Sequence, residues 1–213
     1  MKPTLKAELE IQANINASNS QAAAVFEHYL QDLRNKGAGK GLNIGAAAPD
    51  FTLEDATGKR ITLSEELKKG PIILIFYRGE WCPFCNLQLK AYERIMSEIK
   101  SAGAQLIAVS PQTPDHSLSQ KEKLELSFIV VSDRQNKVAE RYNLKFTLPD
   151  FMRGILSRLP EINGDDSFEL PVPATYVIHQ NGRILASASD INHRTRMEPS
   201  EALEIVKCIS LRN

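Results

Sequence analysis

The chain is poor in cysteine, with three in 213 residues. So few exclude a dense disulfide framework, and an odd number leaves one thiol over. Charge excess is also missing: 26 Lys+Arg balance 26 Asp+Glu, for a formal net charge of +0. Polyanion binding rests on neutralising phosphates and leaves a basic footprint, so no nucleic-acid partner is expected. Long apolar runs are absent too. The longest, Pro71–Tyr77, is far too short to span a bilayer, and no membrane partner is expected. The first residues, MKPTLKAELEIQ, alternate charged and apolar side chains and lack the apolar core of a signal peptide. The expectation is a soluble, cytoplasmic protein. In a reducing compartment, closely spaced cysteines point to redox or metal chemistry rather than structural cross-links.

What is there suffices for one large domain, or a domain with an appendage, since a chain of this size buries roughly 70% of its unfolded surface. Residues 4–36 read as helical, with Leu5, Leu9 and Ile11, then Ala24, Val25, Tyr29, Leu30 and Leu33, near helical spacing. Asn16–Ser20 reads as a break between two helices, with Ser20 a possible N-cap. Four glycines in Lys36–Gly45 read as a linker. This divides the chain into a helical extension, 1–40, and a main domain, 41–213. Phe51–Leu63 reads as a hairpin around the Asp55–Gly58 turn, and Ser64 opens a short helix. Ile72–Tyr77 is an unbroken β-favouring run, as expected of a central strand covered on both faces. Residues 83–100 read as one helix with Pro83 at its first position and Leu87, Ala91, Ile95 and Ile99 in a stripe. Strands at Leu106–Val109 and Phe128–Val131 alternate with helices at Asp115–Leu126 and Asn136–Tyr142. Leu144–Leu170 has no clear period and reads as an insertion. A second hairpin, Thr175–Ala188, and a helix, Glu198–Ile209, complete an α/β fold.

Cys82 and Cys85 lie where the central strand gives way to a helix. A helix N-terminus offers unpaired N–H groups and the positive end of the macrodipole, which favour a thiolate. Residues three apart on a helix are about 5–6 Å apart, compatible with a disulfide. The pair can therefore cycle between dithiol and disulfide. Two buried structural cysteines are the bland alternative. A zinc site would need two more ligands, and His28, His116, His179 and His193 are scattered through predicted helices, a turn and a loop, so no metal is expected.

The stretches APDFTLEDATGK (48–59), FYRGEWCPFCNLQL (76–89), AVSPQ (108–112), LPVPATYVI (170–178) and RTRMEP (194–199) occur in an order that resembles the thioredoxin-fold redoxins. More narrowly, the chain resembles the alkyl hydroperoxide reductase/thiol-specific antioxidant family, in its branch with a thioredoxin-type C-x-x-C. The resemblance covers about 48–199. It implies a thioredoxin-like fold: a central mixed sheet flanked by helices, with an N-terminal hairpin added to the helical extension. It also implies thiol-dependent reduction of hydroperoxides, a thioredoxin-like reductant and no cofactor, with a homodimer possible.

Its two halves assign different roles. Thioredoxins use the first cysteine of W-C-x-x-C as nucleophile, which matches Trp81 to Cys85, and set a cis-proline beside the disulfide, which implies a cis Val172–Pro173 bond and a substrate-binding role for Pro173. Peroxiredoxins use P-x-x-x-T/S-x-x-C, whose attacking cysteine falls on Cys85, with Cys82 in the threonine position and Arg78 in the proline position. The expectation drawn from the family position is that Cys85 attacks peroxide and Cys82 resolves. The usual arginine before the late strand is missing. Arg78, Arg194 or Arg196 could supply its charge, against a surface salt bridge as the bland reading for each. Trp81 is expected on a docking surface, and Cys208 as a packed free thiol. A protein disulfide reductase with Cys82 as nucleophile, and a non-enzymatic redox sensor or interaction module, are the alternatives.

Overall fold

The computed structural model describes residues 3–16, 20–35, 37, 39–192 and 194–210. The expected break at 16–20 falls largely outside these, as do His193, part of the glycine linker and the side chains of Ala24 and Val25. Two helices open the chain, α1 (Leu5–Asn16) and α2 (Ser20–Asn35). The first hairpin is β1 (Thr52–Asp55) and β2 (Arg60–Thr62), followed by the short α3 (Leu63–Leu67). Then come β3 (Ile72–Phe76), α4 (Pro83–Glu93), α5 (Met96–Ser101), β4 (Gln105–Ser110), α6 (Pro114–Lys123) and β5 (Ile129–Ser132). A 3-10 turn at Arg134–Asn136 leads into α7 (Lys137–Arg141). The insertion holds β6 (Lys145–Thr147), α8 (Asp150–Arg153), α9 (Leu159–Asn163) and β7 (Glu169–Pro171). The chain ends with β8 (Ala174–Ile178), β9 (Ile184–Ser189) and α10 (Pro199–Ser210).

Seven strands form one mixed sheet in the order β2-β1-β5-β4-β3-β8-β9. Both β3–β4 and β4–β5 run parallel, as crossover helices require, while β3–β8 and both hairpins are antiparallel. Every residue of β3 is buried, and the pleat divides them between two cores. Ile73 and Ile75 join the cluster that contains Leu5, Leu9, Leu89, Ile99 and Val206. Ile72, Leu74 and Phe76 join the one that contains Leu30, Tyr142 and Tyr176. The two N-terminal helices therefore contribute to opposite faces of the sheet, through Leu5 and Leu9 on one and Leu30 on the other.

Three sequence expectations are corrected. The helix expected over 83–100 is two, because the chain leaves helical geometry at Ile95 (φ −116°, ψ 14°), although Ala91 and Ile99 are buried as the stripe requires. The 144–170 insertion is not irregular: β6 and β7 pair as a small antiparallel sheet around two short helices. Elements this short hold too few residues to display a period. No cis peptide occurs among the described residues, so Val172–Pro173 is trans. The Val172 N–H is bonded to the Leu144 carbonyl and the next residues enter β8, so extended chain passes straight from one sheet to the other.

Candidate active site

The chain leaves β3 at Tyr77, between the ends of β4 and β8, and reaches α4 through Arg78–Cys82. Such a crevice at the carboxyl ends of parallel strands is where α/β sheets place ligands. Gly79 makes the turn possible. Its φ is +139°, and a Cβ there would sit 2.9 Å from Trp81 Nε1. Trp81 can therefore fold back, with the Arg78 guanidinium 5.0 Å from its ring centroid. Cys82 caps α4 with extended backbone (φ −93°, ψ 109°), Pro83 takes the first helical position, and Cys85 lies in the first turn.

Both cysteines are free thiols with no exposed surface. Arg78, itself buried, donates from Nη2 to Cys82 Sγ at 3.1 Å. Burial opposes the Cys82 anion. The Cys85 S–H that donates to it, with the charges of Arg78 and Arg196, more than offsets burial and holds the Cys82 thiol well below its ordinary value. Cys85 goes the other way. Burial first, then its bond to Cys82 and the charge there, push it well above the ordinary thiol value. One proton is thus kept on Cys85 while Cys82 carries the charge. The resting anion thus falls on Cys82, whereas the family position gives the attacking role to Cys85. The reason is local: the cation that replaces the family's proline at 78 points at the first sulfur.

Arg196 is the second cation. Its Nε donates to Gln88 Oε1 at 2.9 Å, its Nη1 to the Thr195 carbonyl at 2.7 Å, and its charge acts on both sulfurs. Burial lowers its pKa despite the sulfurs, but a guanidinium stays charged. Arg194 meets the bland expectation instead, lying 3.7 Å from Glu27 at the surface. Trp81 is half-buried against the insertion's cluster of Leu148, Leu159 and Leu170. Pro173 is buried beside Ala174, which pairs with Phe76 at the end of β3. Cys208 is exposed rather than packed, because Ala202, Val206 and Ile209 form the buried face of α10 and position 208 falls off it.

Sequence reasoning missed the polar scaffold. Gln88 is fully buried, one turn after Cys85, and its Nε2 donates to Thr175 Oγ1 on β8 at 3.1 Å while its Oε1 holds Arg196. Its signal was a polar residue three positions from a cysteine on a helix that buries that face. Behind the loop, Gln112 Oε1 accepts from the Glu80 N–H at 2.9 Å, and its Nε2 donates to Gln120 Oε1 at 2.8 Å and to the Tyr77 hydroxyl at 3.2 Å. Gln120 Nε2 donates to Asn86 Oδ1, and Asn86 Nδ2 donates to the Glu80 carbonyl, which closes the ring. Outside it, His116 Nδ1 lies 2.8 Å from Glu80 Oε1. The arrangement can stabilise one thiolate and deliver a second thiol to it without moving the backbone far.

A protein-family model described as AhpC/TSA family matches residues 44–187. Peroxiredoxin Q, chloroplastic, of Oryza sativa subsp. japonica is 30% identical over 138 residues, covering 65% of this chain and 55% of the relative. The chain thus spans about half the length of this curated relative. Among solved structures, peroxidoxin BcpB from Mycobacterium tuberculosis matches with a TM-score of 0.64 at 22% identity, over 79% of this chain and 98% of that one. PrxQ from Xylella fastidiosa gives 0.62 at 16% identity, over 82% and 99%. These two likenesses establish a thioredoxin-like fold.

Proposed function

From the premise that the chain belongs to the AhpC/TSA family, we propose that it is a cytoplasmic thiol peroxidase that reduces hydroperoxides through a Cys82/Cys85 dithiol–disulfide cycle. The observation that carries this is the buried thiol pair polarised by Arg78, with the anion on Cys82 and the proton on Cys85. The Cys82 thiolate attacks a peroxide oxygen. An S–O bond forms as the O–O bond breaks, and the departing alkoxide takes a proton from solvent. Cys82 is left as a sulfenic acid. Arg78 and Arg196 stabilise the sulfur charge before attack and the charge that moves onto oxygen during it. Cys85 then closes the disulfide as the sulfenic hydroxyl leaves as water, taking up the Cys85 proton. A thioredoxin-like dithiol returns two electrons by exchange, restoring both thiols and being itself oxidised to a disulfide.

Thioredoxin-type reduction of protein disulfides is the second reading. The polarisation toward the first cysteine of W-C-x-x-C favours it, since that cysteine is the thioredoxin-type nucleophile. Burial weighs against it, because neither sulfur has exposed surface and a small peroxide reaches such a thiol more easily than a protein disulfide does. The trans Val172–Pro173 bond removes the feature that led to Pro173 as a substrate contact. Peroxide turnover with a thioredoxin system as reductant, set beside insulin reduction by the same protein, tests the proposal. Rapid peroxide turnover with slow insulin reduction supports the peroxidase, and the reverse pattern supports the reductase.

A further inference from the structure

Helix α1 reaches the thiol site through one carboxylate. Its first two N–H groups, of Leu5 and Lys6, have no partner within the helix and donate to Glu198, at 3.2 Å to Oε2 and 2.6 Å to Oε1. Thr4, the residue before the helix, caps only the Ala7 N–H, through Oγ1 at 3.3 Å, so the two N–H groups ahead of it are met from 192 and 193 residues farther along the chain. Glu198 also accepts at its carbonyl from the N–H groups of Glu201 and Ala202, so it fixes the start of α10 as well. Two residues earlier stands Arg196. Met197 between them is buried in the same core cluster as Leu5, Leu9 and both site cysteines. A cavity of about 480 Å³, lined by Lys6, Leu9, Arg194, Arg196 and Glu198 among others, separates α1 from this loop elsewhere, so the Glu198 cap bridges an otherwise open cleft. The Arg196 guanidinium is held on one side by Gln88 on α4 and on the other by the Thr195 carbonyl of its own loop, so its aim depends on where that loop sits relative to α4.

We propose that Glu198 is a positioning residue for the thiol pair: by capping α1 it holds the 194–198 loop so that the Arg196 guanidinium faces the Cys82 and Cys85 sulfurs. This rests on the redox role of those cysteines but does not require that the oxidant be a peroxide. The sign of the effect separates positioning from direct electrostatics. Deleting a carboxylate near a thiolate would, by charge alone, make the thiol more acidic. Losing the aim of Arg196 makes it less acidic.

The test uses the full chain, reduced, and the pH profile of iodoacetamide alkylation of Cys82 followed by mass spectrometry. In Glu198→Ala the midpoint should move upward and the alkylation rate at pH 7 should fall about five- to tenfold. Glu198→Asp keeps the charge but shortens the reach and should fall between. Glu8→Gln is the control. Glu8 holds α1 at another point, through Arg94 at 2.7 Å and 3.1 Å, without touching the loop. It should lower the melting temperature and leave the alkylation midpoint in place. A midpoint unchanged or lowered in Glu198→Ala overturns the proposal, as does an equal upward shift in Glu8→Gln. If the alanine variant does not fold, an unshifted Glu198→Asp profile overturns it instead. A wild type that alkylates normally but does not consume peroxide defeats the peroxidase reading alone.

Discussion

The redox loop, 77–85, and the 144–170 insertion meet at Trp81 and are built on opposite terms. The loop is buried and polar, with Tyr77, Gln112 and Gln120 bonded to one another out of solvent. The insertion is partly exposed and apolar. Leu148, Leu159 and Leu170 form their own small cluster, while Phe151 and Ile155 stand 47% and 65% exposed. A buried hydrogen-bonded ring admits few alternative geometries, because each unmet donor or acceptor costs about 1–3 kcal/mol. An apolar patch of short helices can repack around what it meets. The difference suggests a division of work: the loop fixes the reacting sulfur, and the insertion shapes what approaches it.

That division breaks most sharply at the cysteines. Cys82→Ser is expected to lower peroxide turnover by at least about a thousandfold, as removal of a nucleophile does. Cys85→Ser should retain one rapid oxidation per molecule and then stall as a sulfenic acid detectable by mass spectrometry. If Cys82→Ser forms the sulfenic acid and Cys85→Ser does not, attack belongs to Cys85 and the polarisation of the resting pair misleads.

Arg78→Met should slow oxidation at neutral pH by about a hundredfold, since an opposite charge at contact distance strongly favours the anion. The pH profile carries the sign. Cys82 is depressed in the native protein, so its reaction rate should hold as pH falls below the ordinary thiol range and drop only near the depressed value. In Arg78→Met the rate should instead fall off through the ordinary range. Arg78→Lys should restore little, because an ammonium lacks the planar fork that reaches Cys82 while stacking on Trp81.

Much of the frame was legible from the chain, and the reasons are local. Ile72–Phe76 reads as a central strand because a run buried on both faces has no alternation to hide, and the hairpins announce themselves at Asp55–Gly58 and Gln180–Gly182. Cys82, Cys85 and Arg78 were legible because they lie within eight residues of one another at a strand-to-helix junction. Gln88, Gln112, Gln120 and Thr175 were not, because their contacts run between α4, the turn after β4, α6 and β8, and pairings between distant elements leave no period. The trans bond at Pro173 was misjudged because a five-residue match, PVPAT, carries no information about the sheet it enters.

The scaffold predicts a stability effect next in size. Gln112→Leu leaves the part-buried Glu80 N–H without its acceptor and takes a donor from the buried Tyr77 and Gln120. A loss of about 2–4 kcal/mol is expected in urea unfolding, from one or two buried groups left unmet. A change under about 0.5 kcal/mol would mean that the ring is ornamental to stability and that the loop is held by Arg78 and the α4 cap instead.

The smallest effect falls on the insertion and sharpens the comparison from its other side. Trp81, Ile155, Leu156, Leu159 and Ile162, with Ser157 and Arg158, line a cavity of about 260 Å³. Trp81 contributes to both regions, since it stacks on Arg78 and packs on the Leu148, Leu159 and Leu170 cluster. Ile155 belongs to the insertion alone and has no bond to the redox loop among the described residues. Ile155→Ser should therefore leave the Cys82 alkylation profile and hydrogen peroxide turnover as in the wild type. With a bulky apolar hydroperoxide such as cumene hydroperoxide, KM should rise about two- to fivefold, in line with losing part of one apolar contact at roughly 25 cal/mol per Å². Trp81→Ala should raise that KM and also shift the alkylation profile, because it removes the surface on which Arg78 rests. If Ile155→Ser changes both peroxides alike, the insertion acts through the loop rather than on the substrate, and the two regions are one site.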